Sequence, residues 1–278
     1  MSLACLPWYD LVETQEVTDR LWRLVARELK EQNMLNVPDE LDRRADYEAQ
    51  WKSADLLLGQ ACGYDVYCAN DHNLQIIGVP LYDMPGCEGT RYRSFVIVRD
   101  DSSYSSIEDL RGARCVINSP RSHSGMNVLR ALVAPLAQGR RFFESVQISG
   151  AHERSLDLVR LRRADVAAID CITYGLLMRH RPEAIAPTRI VHHTQTLTAP
   201  PYVTGANTSV RVQKMIFQAL ERGIAALSQT DLAQLGLHGI ASASMEDYQG
   251  IGEMSAHAWD EHYTDMSQSS EEDSESDK

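Results

Sequence analysis

VINSPRSHSGMNVLRALV, residues 116–133, reads as a buried strand ending at Asn118, a turn rich in serine and glycine, and a helix over Met126–Leu136. A short apolar run followed directly by helical periodicity is the signature of an α/β unit. The same alternation continues on both sides of this stretch. Upstream lie a long strand over 91–99 and a short helix carrying Ile107 and Leu110, capped by Ser105 or Ser106 and ended by Gly112. A strand over Ala113–Ile117 then enters the central stretch. Downstream come strand Phe143–Ile148, helix Glu153–Leu161, strand Val166–Ile169, helix Cys171–Met178 and strand Ile185–Val191.

The flanks follow the same grammar. Residues 13–32 put Val17, Leu21, Leu24, Val25 and Leu29 on one helical stripe, and residues 208–228 form a second amphipathic helix. Ala54–Leu58 reads as a buried strand breaking at Gly59, and LQIIGVPLY (74–82) as another. Strands alternating with helices indicate an α/β protein with largely parallel sheets. The chain divides most simply with a segment of roughly 100 residues, about 96–197, inserted between two halves of another lobe.

Composition excludes several classes. Hydrophobic residues are 44% and charged residues 24% of the 278, so the chain is globular. Its net charge of −12 argues against a broad nucleic-acid footprint or an anionic membrane partner. The segment 267–278 (SQSSEEDSESDK) holds five of the acids and one lysine and is expected to be disordered. The six cysteines, at 5, 62, 68, 87, 115 and 171, form no C-x-x-C pair or zinc pattern and read as scattered reduced thiols. No stretch is apolar enough to span a bilayer, and the first residues lack the marks of a signal peptide. The expected location is therefore cytoplasmic, or periplasmic if the chain has been trimmed of an export segment.

The chemistry-bearing residues fall at strand ends. Ser122 and Ser124 precede a helix whose first N–H groups have no intrahelical acceptor, and Gly125 lets a ligand approach the backbone. Such a turn can hold a phosphate-like or carboxylate anion, and it also serves as an ordinary capped strand-to-helix connection. Neither a Walker A loop nor G-x-G-x-x-G is present. His152 opens the helix after Gly150, and Asp170 follows the strand VAAI. In an open α/β sheet both fall where ligands bind, though Asp170 also suits an N-cap and His152 a solvated first turn. No G-x-S-x-G or H-E-x-x-H motif occurs, and His192–His193 is a lone pair. No cofactor or metal is expected.

Read together, these residues resemble the phosphate/phosphonate-binding group of ABC-importer solute-binding proteins. The landmarks are Y-R-S-F-V-I-V-R-D (92–100), S-I-E-D-L-R-G-A-R (106–114), N-S-P-R-S-H-S-G (118–125), G-A-H-E-R-S (150–155), A-D-V-A-A-I-D (164–170) and P-P-Y (200–202). L-P-W-Y-D (6–10) and L-L-G-Q-A-C-G-Y-D (57–65) match as well. The resemblance implies the type 2 periplasmic-binding-protein fold, two Rossmann-like α/β lobes joined by two crossing strands near 91–95 and 198–204. Lobe 1 would then span 1–94 and 200–262, lobe 2 95–199, and the acidic tail 263–278.

It also implies a non-catalytic protein that traps a small oxyanion (phosphate, a phosphonate or a phosphorylated metabolite) between its lobes, with an ABC permease as partner if exported. The family's S-T-S-G motif maps onto Ser122, His123, Ser124 and Gly125, with His123 in place of the threonine. Its ligand histidine maps to His152, its strand-end acid to Asp170, aromatic pocket residues to Tyr9 and Tyr92, and Gln60 to a first-lobe loop. Two other readings stand beside this one. The first is an enzyme on the same fold acting on a thiamine-precursor-like metabolite, with Cys171 as the thiol to test. The second is a sensor or interaction protein with a degraded cleft.

Overall fold

The computed structural model describes residues 2–261 except 45, 70 and 72, together with 263 and 266. The chain begins with β1 (Leu3–Ala4), α1 (Gln15–Glu31), α2 (Tyr47–Lys52), β2 (Leu56–Gln60), α3 (Gly63–Tyr67), β3 (Gln75–Tyr82) and β4 (Arg91–Tyr92). The middle of the chain holds β5 (Ser94–Arg99), β6 (Arg114–Ile117), α4 (Val128–Ala137), β7 (Ser145–Ile148), α5 (His152–Arg160) and β8 (Val166–Asp170). There follow α6 (Cys171–His180), α7 (Pro182–Ile185), β9 (Thr188–His193), β10 (Leu197–Thr198) and β11 (Tyr202–Thr204). The last elements are α8 (Val210–Ala225), α9 (Gln229–Leu235), β12 (Leu237–Ala241) and α10 (Gln249–Asp260).

Two compact units result. Unit 1 comprises residues 1–92, 171–180 and 196–251, and unit 2 comprises 93–170, 181–195 and 252–278. The expected division placed 171–180 with the inserted segment and ran the flanking lobe to 262, whereas α10 from Gly252 belongs to unit 2, Arg130 Nη2 donating to Ser255 Oγ. In the structure α6 belongs to unit 1, where Gly175 packs on Met84 and the last turn reaches α9 through Arg179 to the Ala233 carbonyl and His180 to the Gln234 carbonyl.

Unit 1 is built on a five-stranded sheet in the order β1-β2-β11-β3-β12, with a separate ribbon of β4 and β10. Among neighbouring strands only β1 and β2 pair parallel, because β11 returns between β2 and β3 antiparallel to both and β12 is antiparallel to β3. Helix α1 buries Val17, Leu21, Trp22, Val25 and Leu29. Leu24, expected on that stripe, is half-buried, and Trp22 takes the deeper place. Glu16 in its first turn and Lys30 in its last complement the helix dipole. Helix α8 crosses α1 at Gly223, where an added Cβ would stand 2.7 Å from Val25 Cγ2.

Unit 2 carries the second five-stranded sheet, β7-β6-β8-β5-β9. Strands β7, β6 and β8 are parallel, whereas β5 is antiparallel to both β8 and β9. Both sheets are thus mixed and not largely parallel, because the strands nearest the chain's passages between units run opposite to their neighbours. Three local expectations also change. The strand at 91–99 is interrupted at Arg93, Tyr92 pairing with Leu197 in the ribbon and Ser94 with Asp170 in the sheet. Gly59 does not break β2, since pairing of Val203 with Gly59 and Tyr202 with Gln60 carries the strand onward. The strand expected over Ile185–Val191 begins later, at Thr188, because α7, started by Pro182 with its fixed φ, still holds Ile185.

The expected disordered tail falls largely on 267–278, outside the described residues; Tyr263 and Met266 are described and buried.

Candidate functional site

Parallel pairing of β7, β6 and β8 brings three carboxyl strand ends to one edge of the unit 2 sheet. The register aligns Ile117 with Ile148 and Val116 with Ala167. The pairing of β6 with β7 extends past both strands, Ser149 N–H donating to the Ile117 carbonyl and Gly150 N–H to that of Asn118, each at 2.9 Å. Gly150 takes φ +89°, a left-handed turn that directs the chain into α5 at His152.

The turn after β6 is a π-helical turn, His123–Asn127, that runs on into α4. It begins with Ser122, whose Oγ accepts from Gly125 N–H at 2.9 Å. Asn127 N–H reaches back five residues to the Ser122 carbonyl at 2.9 Å. Space at Gly125 is fully used, because an added Cβ would lie 1.8 Å from Asn118 Oδ1. A π turn of this kind widens the start of the helix and is often found at functional sites.

Three of the expected site residues meet here. Ser124 Oγ is 2.8 Å from His152 Nε2, and the same nitrogen is 3.4 Å from Asp170 Oδ2. All three side chains are nearly closed off from solvent. Burial pushes the His152 imidazole below its ordinary pKa, with Asp170 and the Ala168 backbone pulling the other way. His123 is turned inward and is 2% exposed. Burial lowers its pKa to about 3, so it is neutral at physiological pH. Its Nδ1 takes a hydrogen bond from the Asn127 amide at 3.2 Å. Arg130 Nη2 donates in turn to Asn127 Oδ1 at 3.1 Å and to Ser255 Oγ at 2.6 Å.

One further polar atom belongs to this cluster and escaped the sequence reading. Asn118 Oδ1 is buried and has no hydrogen-bond partner among the described residues. The signal was present in the sequence as an asparagine at a strand end, but nothing there separates an ordinary turn residue from an unpaired acceptor.

In unit 1, Tyr9 takes φ +64° and packs its ring edge-on against Tyr82, centroids 5.2 Å apart. Tyr9 and Gln60 line one small pocket with Trp8, Tyr82 and Tyr202. Gln60 is 1% exposed, and its Nε2 donates to the Pro200 carbonyl at 3.2 Å. Tyr92 is buried in the ribbon and does not line that pocket. Cys171 opens α6 with its Sγ 3.5 Å from Cys87 Sγ. His193 packs edge-on against Phe95. Among the described residues no group of three His, Cys, Asp or Glu side chains is placed to hold a metal ion, and no helix is long and apolar enough to cross a membrane.

The chain is similar over 92% of its length to 97% of PhnD1 from Prochlorococcus marinus (MIT 9301) in complex with methylphosphonate, with TM-score 0.70 and 18% identity. It is similar over 94% of its length to 87% of a binding-protein component of an ABC phosphonate transporter (PA3383) from Pseudomonas aeruginosa, with TM-score 0.72 and 15% identity. XAC2383 from Xanthomonas citri, bound to ATP, matches 95% of the chain over its whole length, with TM-score 0.66 and 15% identity. At these identities the likeness shows the fold, that of the periplasmic binding proteins. A search of the curated protein sequences found no match. The model of the periplasmic substrate-binding proteins of phosphonate ABC transporters matches residues 9–248, most of the chain, and the protein belongs to that family.

Proposed function

We propose that the strand-end cluster of unit 2 holds the phosphoryl or phosphonyl oxygens of a small ligand, and that the protein binds this ligand without transforming it. Membership of the family makes it a small-oxyanion-binding protein. One observation carries the reading. Ser124 and Asp170 both approach Nε2 of His152. A nucleophilic relay divides its partners between the two ring nitrogens, so that the acid orients the base while the base takes the hydroxyl proton. Here one nitrogen faces both, which makes a poor relay and a good polar cradle.

The chemistry of the cradle follows from its members. The first turn of the helix presents N–H groups at the positive end of the helix dipole. Ser124 Oγ–H donates to an oxyanion oxygen, and a neutral His152 supplies one N–H. Asn118 Oδ1 and Asp170 accept, matching a ligand that carries a hydroxyl or ammonium beside its anionic oxygens. Low exposure strengthens each of these bonds relative to water. Ser122 and Gly125 shape the turn, and His123 fixes it from inside. Tyr9, Gln60 and Tyr92 are proposed as ligand residues on the family resemblance alone. An ABC permease is the proposed recipient of the ligand.

Calorimetry with methylphosphonate, phosphate, phosphite, sulfate and ATP tests the reading. Binding of a phosphorus oxyanion is expected, weakened roughly 10- to 100-fold in Ser124→Ala, the equivalent of about 1.5–3 kcal/mol for a hydrogen bond to a charged group. An unchanged affinity in that variant would remove Ser124 from the site. Turnover of any of these ligands would overturn the non-catalytic assignment.

A further inference from the structure

The structure brings two of the six cysteines together. The Sγ atoms of Cys87 and Cys171 are 3.5 Å apart, Cys171 fully buried and Cys87 half-exposed. Each thiol sits on a firm support, and the supports share one residue. Cys87 closes the turn after β3, its N–H donating to the Met84 carbonyl at 2.9 Å, just after Gly86 at φ +96°. Cys171 opens α6, and one turn later Gly175 lies so near Met84 that an added Cβ would stand 2.7 Å from its Sδ. Met84, itself 5% exposed, therefore fixes the turn that carries one sulfur and the helix that carries the other.

The remaining thiols differ in kind. Cys5 and Cys115 are fully buried, and burial raises both, that of Cys5 to about 12. Cys68 is exposed. At Cys87 a solvent-reachable sulfur lies against a buried one.

We propose that Cys87 and Cys171 form a disulfide when the protein meets a small-molecule disulfide such as oxidised glutathione. Cys87, the reachable thiol, attacks one sulfur of the oxidant and releases the first glutathione thiol, leaving a mixed disulfide on Cys87. Cys171 then attacks Cys87 Sγ, and the second glutathione departs with the proton. Two protein thiols are oxidised and one glutathione disulfide is reduced to two thiols. The bond joins the segment that enters unit 2 at residue 93 to the segment that leaves it at residue 170, closing a long loop in the chain. This inference does not depend on the oxyanion reading.

The experiment incubates the reduced, full-length protein with oxidised glutathione and digests it without reductant. Mass spectrometry is expected to find one peptide pair linked through Cys87 and Cys171, with Cys5 and Cys115 unmodified. In Cys87→Ser, with Cys171 unoxidised, the linked pair is expected to vanish. Three results would overturn the proposal: Cys87 carrying a stable glutathione adduct beside a free Cys171, Cys87 linked to another cysteine, or both thiols intact. The wild-type digest reads all of these, so it decides the matter even if the variant folds poorly.

Discussion

At the residue scale, the candidate site is a set of polar side chains removed from water, Asn118 Oδ1 among them without a partner, and pH is the lever that exposes this burial. His123 and His152 both have depressed pKa values because burial disfavours their charged forms. In the unfolded chain each takes up a proton near its ordinary value of about 6.5, while the folded protein resists doing so. Stability is therefore unaffected by these residues above about pH 7 and falls as pH drops below about 6.5, by up to roughly 1.4 kcal/mol per pH unit for each histidine. Denaturant titrations at pH 7.5, 6.0 and 5.0 are expected to show that fall, and His123→Gln should remove part of it. A stability that is flat over this range would mean that neither imidazole resists protonation. Of the candidate residues, the polar strand ends were legible because Ser, His and Asp at such positions have a definite chemistry. The inward turn of His123 was not, since whether a side chain faces a ligand or the core depends on the π turn, which has no mark in residue type.

At the scale of elements, the turn between β6 and α4 is a fitted part. Asn118 folds over Gly125 so closely that any Cβ there meets its Oδ1. Gly125→Ala is expected to leave the sheet folded and yet open the turn, with oxyanion binding lost in calorimetry and the far-ultraviolet circular dichroism unchanged. Retained affinity would show that the turn does not touch the ligand. The crossing of α1 and α8 makes a second prediction. Gly223→Ala forces a methyl against Val25, and overpacking of a tight core costs about 1–3 kcal/mol. Thermal melting is expected to drop by several degrees, and an unchanged melt would show that α8 shifts at no cost. Both amphipathic helices were plain in the sequence because their apolar spacing follows the helical period. The short elements α2 and β12 were not foreseen, since their patterns are brief and tertiary packing settles them, and neither was the longer helix α10. The mixed direction of the sheets was hidden for a related reason: strand polarity depends on which neighbour a strand joins, and β11 joins two strands made more than a hundred residues earlier.

At the scale of the whole molecule, a chain of net charge −12 captures an anion. The distant field opposes the encounter while the local donors favour the bound state, so the two should separate under salt. Screening weakens interactions beyond about 8–10 Å near 0.1–0.15 M ionic strength. The association rate for phosphate or methylphosphonate is expected to rise with added chloride, and removal of residues 267–278, which carry −4, should reduce that rise. A rate that falls with salt would show that a local positive patch dominates the approach. The two-unit plan was legible from alternating strands and helices and from the family resemblance, whereas the assignment of α6 to unit 1 required the contact with Met84. The order in which the two sheets can be completed follows from the connectivity. Every strand of the unit 2 sheet has been synthesised by residue 193, but the central strand of the unit 1 sheet, β11, arrives only at 202–204. A chain halted at residue 195 would hold a finished sheet in unit 2 and, in unit 1, a vacant slot between β2 and β3. Filling that slot joins β11 to strands more than a hundred residues earlier in the chain, a pairing of high loop-closure cost that cannot begin until residue 204 has been made.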